Sequence, residues 1–427
     1  MNSRKHQNYP SILEIFIPDN HVLWARVIHV LMIMFIWYWR YPVDIRYARY
    51  ALLFALAATL MGFSYANAAE PVAATPTPGD WQQFKQGPAR TSLNLDEAVV
   101  GVGDAKKLKQ KWKASLPAGV YTQPAVVKGV VYVATSDSAL RTFKASNGQP
   151  GWFRQPGCKI TTSPAVVDGV VYFGCQNNFV YALNAKTGAQ IWASPTGGIV
   201  DRSSPLVVDG SVIIGSLDQS LYSFNAKTGK KLWSPKTGGG LYSSPAFDGG
   251  LVFVGSGDGS TYAFDARTGK KKRSKSTTNS IFSSPAVSAG LVYIGSTDAT
   301  INAYKTANGA PGFNLNIGCT INSSPAVASG MVIFGCDDRQ VYALDAKTGV
   351  TKWTFLTGGI VRSSPSVANG VVYVDSQDAK VYGLELATGK QLFSFATGSI
   401  VDSSPVMSNG VLYFGSADSS LYAFKTK

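Results

Sequence analysis

The chain has 427 residues, 45% hydrophobic and only 15% charged, with 43 Gly; this excludes an array of exposed helices and reads as an all-β fold with many tight turns. All three histidines, His6, His21 and His29, lie in the first 30 residues, which removes the usual general base and the commonest transition-metal ligand from everything that follows. The formal charge is +14, of which about +11 lies beyond residue 69; it is read first as a charge for solubility, secondarily as an attraction for anionic lipid or polysaccharide, with no nucleic-acid partner expected.

Residues 1–45 form an N-terminal extension. Its apolar run, Val27–Trp39, is about 13 residues long, short of the roughly 20 that span a bilayer. The preferred reading is an overlong translated start; the other is a second membrane-seeking segment. Residues 46–68, "RYARYALLFALAATLMGFSYANA", have the three parts of a secretory signal. Arg46 and Arg49 are the charged start, Ala51–Met61 is the short apolar run, and Ala66-Asn67-Ala68 supplies small residues around a cleavage point. The expectation is export, to the periplasm or beyond, with cleavage after Ala68. No Cys follows the signal, so a lipid-anchored start is unsupported. Residues 69–79 are Pro- and Ala-rich and read as a flexible linker, and 80–108 as a lead-in segment.

From 109 to 427 one unit repeats. Its landmarks are Pro124, Pro164, Pro205, Pro245, Pro285, Pro325, Pro365 and Pro405, spaced by 40 residues with a single spacing of 41. A sustained period near 40 without a helical pattern points to propeller blades. Each unit reads as four short strands: "SSPAV", then "VYFGS", then "LYAFDA", then a strand around an aromatic residue after a "KTG" turn. Alternating apolar and polar residues suit strands, and Gly at the turns suits positive φ.

The aromatic position holds Trp152, Trp192, Trp233, Arg273, Phe313, Trp353 and Phe393, seven occupants for eight units. One period before Trp152 stands Trp112. The strand around Trp112 is therefore predicted to pair with "LYAFKTK" at the C-terminus and complete the last blade. Closure would remove the open edges of a linear array. The predicted fold is an eight-bladed β-propeller with four-stranded blades. Opposite each aromatic stands a small residue (Thr142, Ala182, Ser223, Ala263, Ala303, Ala343, Gly383 and Ala423), so the rings are read as blade-to-blade packing rather than as cofactor platforms. The turn residues Asp137, Asp218, Asp258, Asp298, Asp338, Asp378 and Asp418, with Asn177 as exception, are read as Asx turns rather than metal ligands.

Cys158 and Cys175 are 17 residues apart, as are Cys319 and Cys336. Each pair fills the same two repeat positions, in the second and sixth units, while the other six units have neither. Two disulfides, Cys158–Cys175 and Cys319–Cys336, are predicted, which export permits; the other reading is four buried free thiols.

"YALNAKTGAQIW" resembles the tryptophan-docking repeat of the pyrroloquinoline-quinone (PQQ) type propellers. "DWQQFKQGPARTSLN", Asp80–Asn94, is similar to the segment such proteins carry before their first blade. That family contains quinoprotein dehydrogenases and also non-catalytic members, among them the propeller lipoprotein of the outer-membrane β-barrel assembly machine. The resemblance implies a monomeric periplasmic scaffold whose partners are envelope or outer-membrane proteins. It also implies the alternative, a dehydrogenase holding PQQ with calcium. Against the alternative, there is no "CxxCH" haem site and no adjacent Cys-Cys pair. The uniform units leave little chain to wall in a cofactor, so no pocket for chemistry is expected. Clustered carboxylates for a calcium ion cannot be assembled, and the expectation is no cofactor, no metal and no catalytic residue.

Two features remain. Three residues before the landmark Pro the units hold Tyr121, Thr161, Arg202, Tyr242, Phe282, Asn322, Arg362 and Asp402, a variable position in a constant frame. It is expected at the mouth of the central channel as a partner-binding ring, the other reading being drift at a loop position. The fourth unit carries "RTGKKKRSKS", whose Arg267, Lys270, Lys271, Lys272, Arg273 and Lys275 form a basic patch that either contacts anionic lipid or polysaccharide or is a solvated face. Arg273 also replaces the docking aromatic there, so the fourth blade is expected to pack less tightly.

Overall fold

Alternating strand residues with Gly-bearing turns fold into eight four-stranded antiparallel blades, the seventh extended by a short parallel strand, Leu93–Asn94, in this computed structural model, which describes residues 79–426. The extension, the secretory signal and nearly all of the linker lie outside the described residues. In blade one the strands run outward from the axis as Ala125–Val127, Val130–Thr135, Ala139–Lys144 and Pro150–Arg154. Blades two to seven repeat this order. In blade eight the three strands Val406–Ser408, Val411–Ser416 and Ser420–Lys425 are completed on the outside by Lys109–Ser115, with Trp112 opposite Ala423. The circular closure predicted from the missing strand is present.

The docking residues work as a chain of locks between blades. The indole of Trp192 lies where a Cβ on Gly229, in the "KTG" turn of the next blade, would approach it at 2.7 Å, and its Nε1 donates to Ala226 O at 2.9 Å. Trp112, Trp152, Trp233 and Trp353 repeat both contacts on the following blade. The turn glycine thus needs its identity twice, for φ near +70° and for the neighbouring ring. Phe313 packs against Gly349 in the same manner. Phe393 shares its core with Val100, Ala105, Leu108 and Phe424.

Arg273 docks in kind, without the aromatic bulk. Its stem covers Gly309, and its guanidinium donates to Thr306 O and Ala307 O, where five other blades place an indole N–H. A void of about 20 Å³ remains beside it. The rest of the basic patch (Arg267, Lys270, Lys271, Lys272 and Lys275) is exposed on or beside the outermost strand, Lys271–Ser276. Lys272 is paired with Asp265 at 3.3 Å.

Residues 79–94 take a path that no periodicity announces: they circle the propeller axis once. The backbone carbonyls of Trp81, Gln82, Pro88, Ala89, Thr91 and Ser92 accept the N–H of Val126, Val166, Phe247, Val287, Val327 and Val367, at 2.7–2.9 Å. The Gln83 side chain accepts from Val207 N. Each acceptor meets the central residue of an innermost strand, in blades one to seven. Blade eight is held at both ends of the circuit, by Ser408 Oγ donating to Gly79 O and by Asn94 Nδ2 donating to Met407 O. Arg90 and Lys85 are fully buried. Arg90 donates to Pro245 O at 2.9 Å, Pro205 O at 2.7 Å and Phe84 O; Lys85 donates to Pro325 O. The two cations thus meet carbonyls of the repeating Ser-Ser-Pro frame. Burial pushes the Lys85 ammonium well below its ordinary range and Arg90 down to about 9.

Both predicted disulfides form, with Cα separations of 6.0 and 6.1 Å, and no free cysteine remains. Each ties the loop before an innermost strand to the end of the second strand. In five of the six blades that lack the pair, a serine does the same work: Ser216, Ser256, Ser296, Ser376 and Ser416 donate to the carbonyls of Gly198, Gly239, Asn279, Gly359 and Ser399. Closing a loop of this size by a covalent bond is worth about 3 kcal/mol.

The buried guanidinium makes a test. Arg90→Met leaves several buried carbonyls without donors and is expected to lower the unfolding free energy by at least about 2 kcal/mol. Arg267→Met on the exposed turn should stay within about 0.5 kcal/mol of wild type. Equilibrium denaturation of the two variants checks this; equal stabilities contradict the assignment.

Candidate functional site

The loop entering each blade places one residue at the mouth of the central channel. All eight predicted ring positions (Tyr121, Thr161, Arg202, Tyr242, Phe282, Asn322, Arg362 and Asp402) line one cavity there. Their neighbours give the ring distinct sectors. Tyr242 and Phe282 meet edge to face with centroids 5.1 Å apart, and Tyr121 is half exposed. The Arg362 guanidinium grips Asp337 through Nε at 3.1 Å and Nη2 at 2.9 Å, and Asn322 reaches the same carboxylate at 3.4 Å. Arg202 has the left-handed φ of +60°, at the one unit lengthened by a residue. Among the described residues it forms no ion pair.

Below the ring lies a belt that the sequence displays only as the unchanging second serine of "SSP". Gln123 N donates to Ser163 Oγ, Ser163 N to Ser204 Oγ, Ser204 N to Ser244 Oγ, and so on through Ser284, Ser324, Ser364 and Ser404, at 2.8–3.2 Å. Each blade is thus stitched to the next at the hub. At the seam between blades eight and one Gln123 replaces the serine. Its Oε1 accepts from Lys85 N and Trp81 Nε1, and its Nε2 reaches Pro405 O.

Uniform units predict no pocket for chemistry; a cavity is nonetheless present at the hub. The channel is a cavity of about 600 Å³, walled by the ring and the serine belt, with Phe84 of the lead-in segment as its floor. It needs no insertions between strands, because eight blades leave a wide hub and residues 79–94 close one end of it. The disulfides brace the mouth, since Cys158 and Cys319 stand three residues before Thr161 and Asn322. The basic patch, the docking rings and the turn carboxylates lie elsewhere. Asp218, Asp258, Asp298, Asp338 and Asp378 make the expected Asx bonds at 2.8–3.0 Å.

The cavity wall carries a single carboxylate, Asp402. Its Oδ2 accepts from Gln377 Nε2 at 2.9 Å, and its Oδ1 is buried without a donor. Burial raises its pKa, against Gln377 and the nearby charges of Arg362 and Arg202. Behind it stands Asp375, fully buried, where six other blades have Gly and blade one has Ala134. Asp375 Oδ2 accepts from Ser403 Oγ at 3.1 Å, while Oδ1 has no donor. Burial pushes this carboxyl well above the usual range, and the Asp402 charge adds to the effect. Calcium takes six to eight oxygens, and this donor set does not supply them. Among the described residues the trio that comes close enough to share a metal is Cys319, Cys336 and Asp338, whose sulfurs are already bonded to each other.

A family model described as outer membrane protein assembly factor BamB matches residues 96–275, 271–362 and 356–427. No curated protein matches the chain. Among solved structures, BamB from Moraxella catarrhalis is 19% identical, over 74% of this chain and 99% of that one, at a TM-score of 0.66. The quinohemoprotein alcohol dehydrogenase from Comamonas testosteroni is 17% identical, over 82% and 81%, at 0.73. The computationally designed protein Ika8 is 17% identical, over 73% and 98%, at 0.66. At such identities these likenesses establish the fold.

The buried carboxyl behind the mouth makes a further test. A group whose pKa is raised by folding favours the folded state below its unfolded pKa, about 4 for aspartate, and costs stability as pH rises through the folded value. Asp375→Asn is therefore expected to be more stable than wild type at pH 7, with the gain shrinking towards pH 4. Denaturation curves at both pH values measure it, and a gain independent of pH contradicts the assignment.

Proposed function

The chain belongs to the family of outer membrane protein assembly factor BamB, and from that premise we propose that it is an exported, non-catalytic scaffold. Its partners are envelope or outer-membrane proteins, received at the mouth of the propeller. The observation that carries the reading is the ring: eight side chains that differ in nearly every blade converge on one opening, on a frame that barely changes. Aromatic and Arg side chains are those that anchor protein interfaces, and here they stand on a rigid support. Arg362 is pre-oriented by Asp337, which lowers the entropy lost on binding. The two disulfides suit the oxidising compartment that the secretory signal implies.

The quinoprotein alternative shares the fold, yet no observation at this cavity favours it: the wall offers a single carboxylate, Asp402.

Affinity capture from envelope extract, with wild type and Arg202→Ala/Arg362→Ala side by side, tests the proposal. A partner should be retained by wild type and weakened by about thirtyfold or more in the variant, as for a hot-spot pair, while PQQ with calcium should give no alcohol- or sugar-dependent dye reduction. Identical capture by both proteins, or dye reduction by the PQQ-loaded protein, overturns it.

A further inference from the structure

The cavity's chemistry is layered, and the layers specify a ligand class. Its floor is the ring of Phe84. Arg90 lies 5.8 Å from that ring's centroid, and its guanidinium is taken up by main-chain carbonyls. The Arg90 guanidinium is thus already engaged, neither Arg90 nor Lys85 lines the cavity, and the floor offers an aromatic surface. Above it stand seven buried serines, Ser163 to Ser404. Each Oγ has accepted one N–H, but among the described residues the hydroxyl hydrogens of Ser163, Ser244, Ser284, Ser324, Ser364 and Ser404 have no acceptor. Ser204 has only a weak one, at 3.5 Å. The belt is therefore a neutral collar of donors, each also able to accept. Above that, the mouth combines the Tyr242–Phe282 pair and Tyr121 with the planar polar ends of Arg202, Asn322, Arg362 and Asp402.

Three ligand classes meet these layers differently. An apolar guest would leave the hydroxyl belt dry and unpaired, at a desolvation cost for each group. A compact oxyanion would sit on the electron-rich face of Phe84, with no ammonium or guanidinium free at that depth. A pyranose ring fits all three layers. It has an apolar C–H face for an aromatic floor, a rim of hydroxyls that donate and accept for the belt, and vicinal hydroxyl pairs that planar carboxylate, amide and guanidinium groups bind two at a time. The volume, about 600 Å³, falls within the range of small-ligand pockets.

We propose that the blind cavity is a carbohydrate-binding site that takes the end of a short oligosaccharide, with a sugar face on Phe84 and its hydroxyls on the serine belt. The site goes beyond the scaffold reading and stands without it. The mouth residues serve both, so the test uses residues below the mouth, where a lost sugar site and a lost protein partner are read separately.

The purified protein is titrated with maltose, cellobiose, lactose and di-N-acetylchitobiose, and separately with inorganic phosphate and citrate, by calorimetry and saturation-transfer NMR. At least one disaccharide is expected to bind one-to-one, with transfer concentrated on the C–H protons of one sugar ring. Phe84→Leu should weaken it roughly tenfold, the size of a lost aromatic contact. Ser284→Thr retains the oxygen that accepts from Ser244 N and adds a methyl to the belt; it should weaken binding with an unchanged unfolding curve. Silence from all four disaccharides at about 10 mM, well above the range of useful affinity, overturns the proposal. So does binding of phosphate or citrate without any sugar, or sugar binding that persists unchanged in both folded variants.

Discussion

Each blade brings to the axis an innermost strand with one free edge, and eight such edges cannot pair with one another. A buried backbone group without a partner is costly. The problem is solved by one stretch of chain, residues 79–94, which gives an acceptor to the central N–H of the innermost strand in seven blades and ties itself to the eighth at both ends. Two of its side chains, Lys85 and Arg90, turn to the carbonyls of the Ser-Ser-Pro frame. The path is bent to do this: Lys85, Gln86, Arg90 and Ser92 all take left-handed φ values between 55° and 75°, a conformation L residues seldom adopt.

The asymmetry of the molecule follows. One end of the hub is filled by the circling segment, so the channel is a blind cavity. The other end is left to the loops that enter the blades, braced by two disulfides and by serine hydroxyls in their place. The serine belt joins blade to blade through the main chain, so the frame of the mouth is held by invariant atoms while the ring side chains are free to differ. A surface built this way suits recognition, and the family to which the chain belongs is consistent with that.

Much of this was legible in the sequence, because repetition turns each column of residues into a position. The missing eighth aromatic led to Trp112 and the closure of blade eight. Coincidence of the cysteines in two units led to the disulfides, and variation before the landmark Pro led to the mouth. The lead-in segment was not legible. It occurs once, so it has no column, and it binds mostly through its own carbonyls, which carry no side-chain signature. Without its path the cavity cannot be foreseen, and uniform unit length suggests that little chain is left to enclose one. Asp375 could have been found: it is the one carboxylate in a column otherwise of Gly and a single Ala. In the sequence Arg273 reads as a lost aromatic, but its guanidinium restores the hydrogen bond that the indoles make.

One circling segment holds all eight blades at the hub, and amide hydrogen exchange measures this most directly. If the claim holds, the N–H groups of Val126, Val166, Val207, Phe247, Val287, Val327 and Val367 exchange only through global unfolding, together with those of the seam between Lys109–Ser115 and Ser420–Lys425. Fast exchange at these seven amides while the outer strands stay protected would mean that the hub is open, and the account would fail.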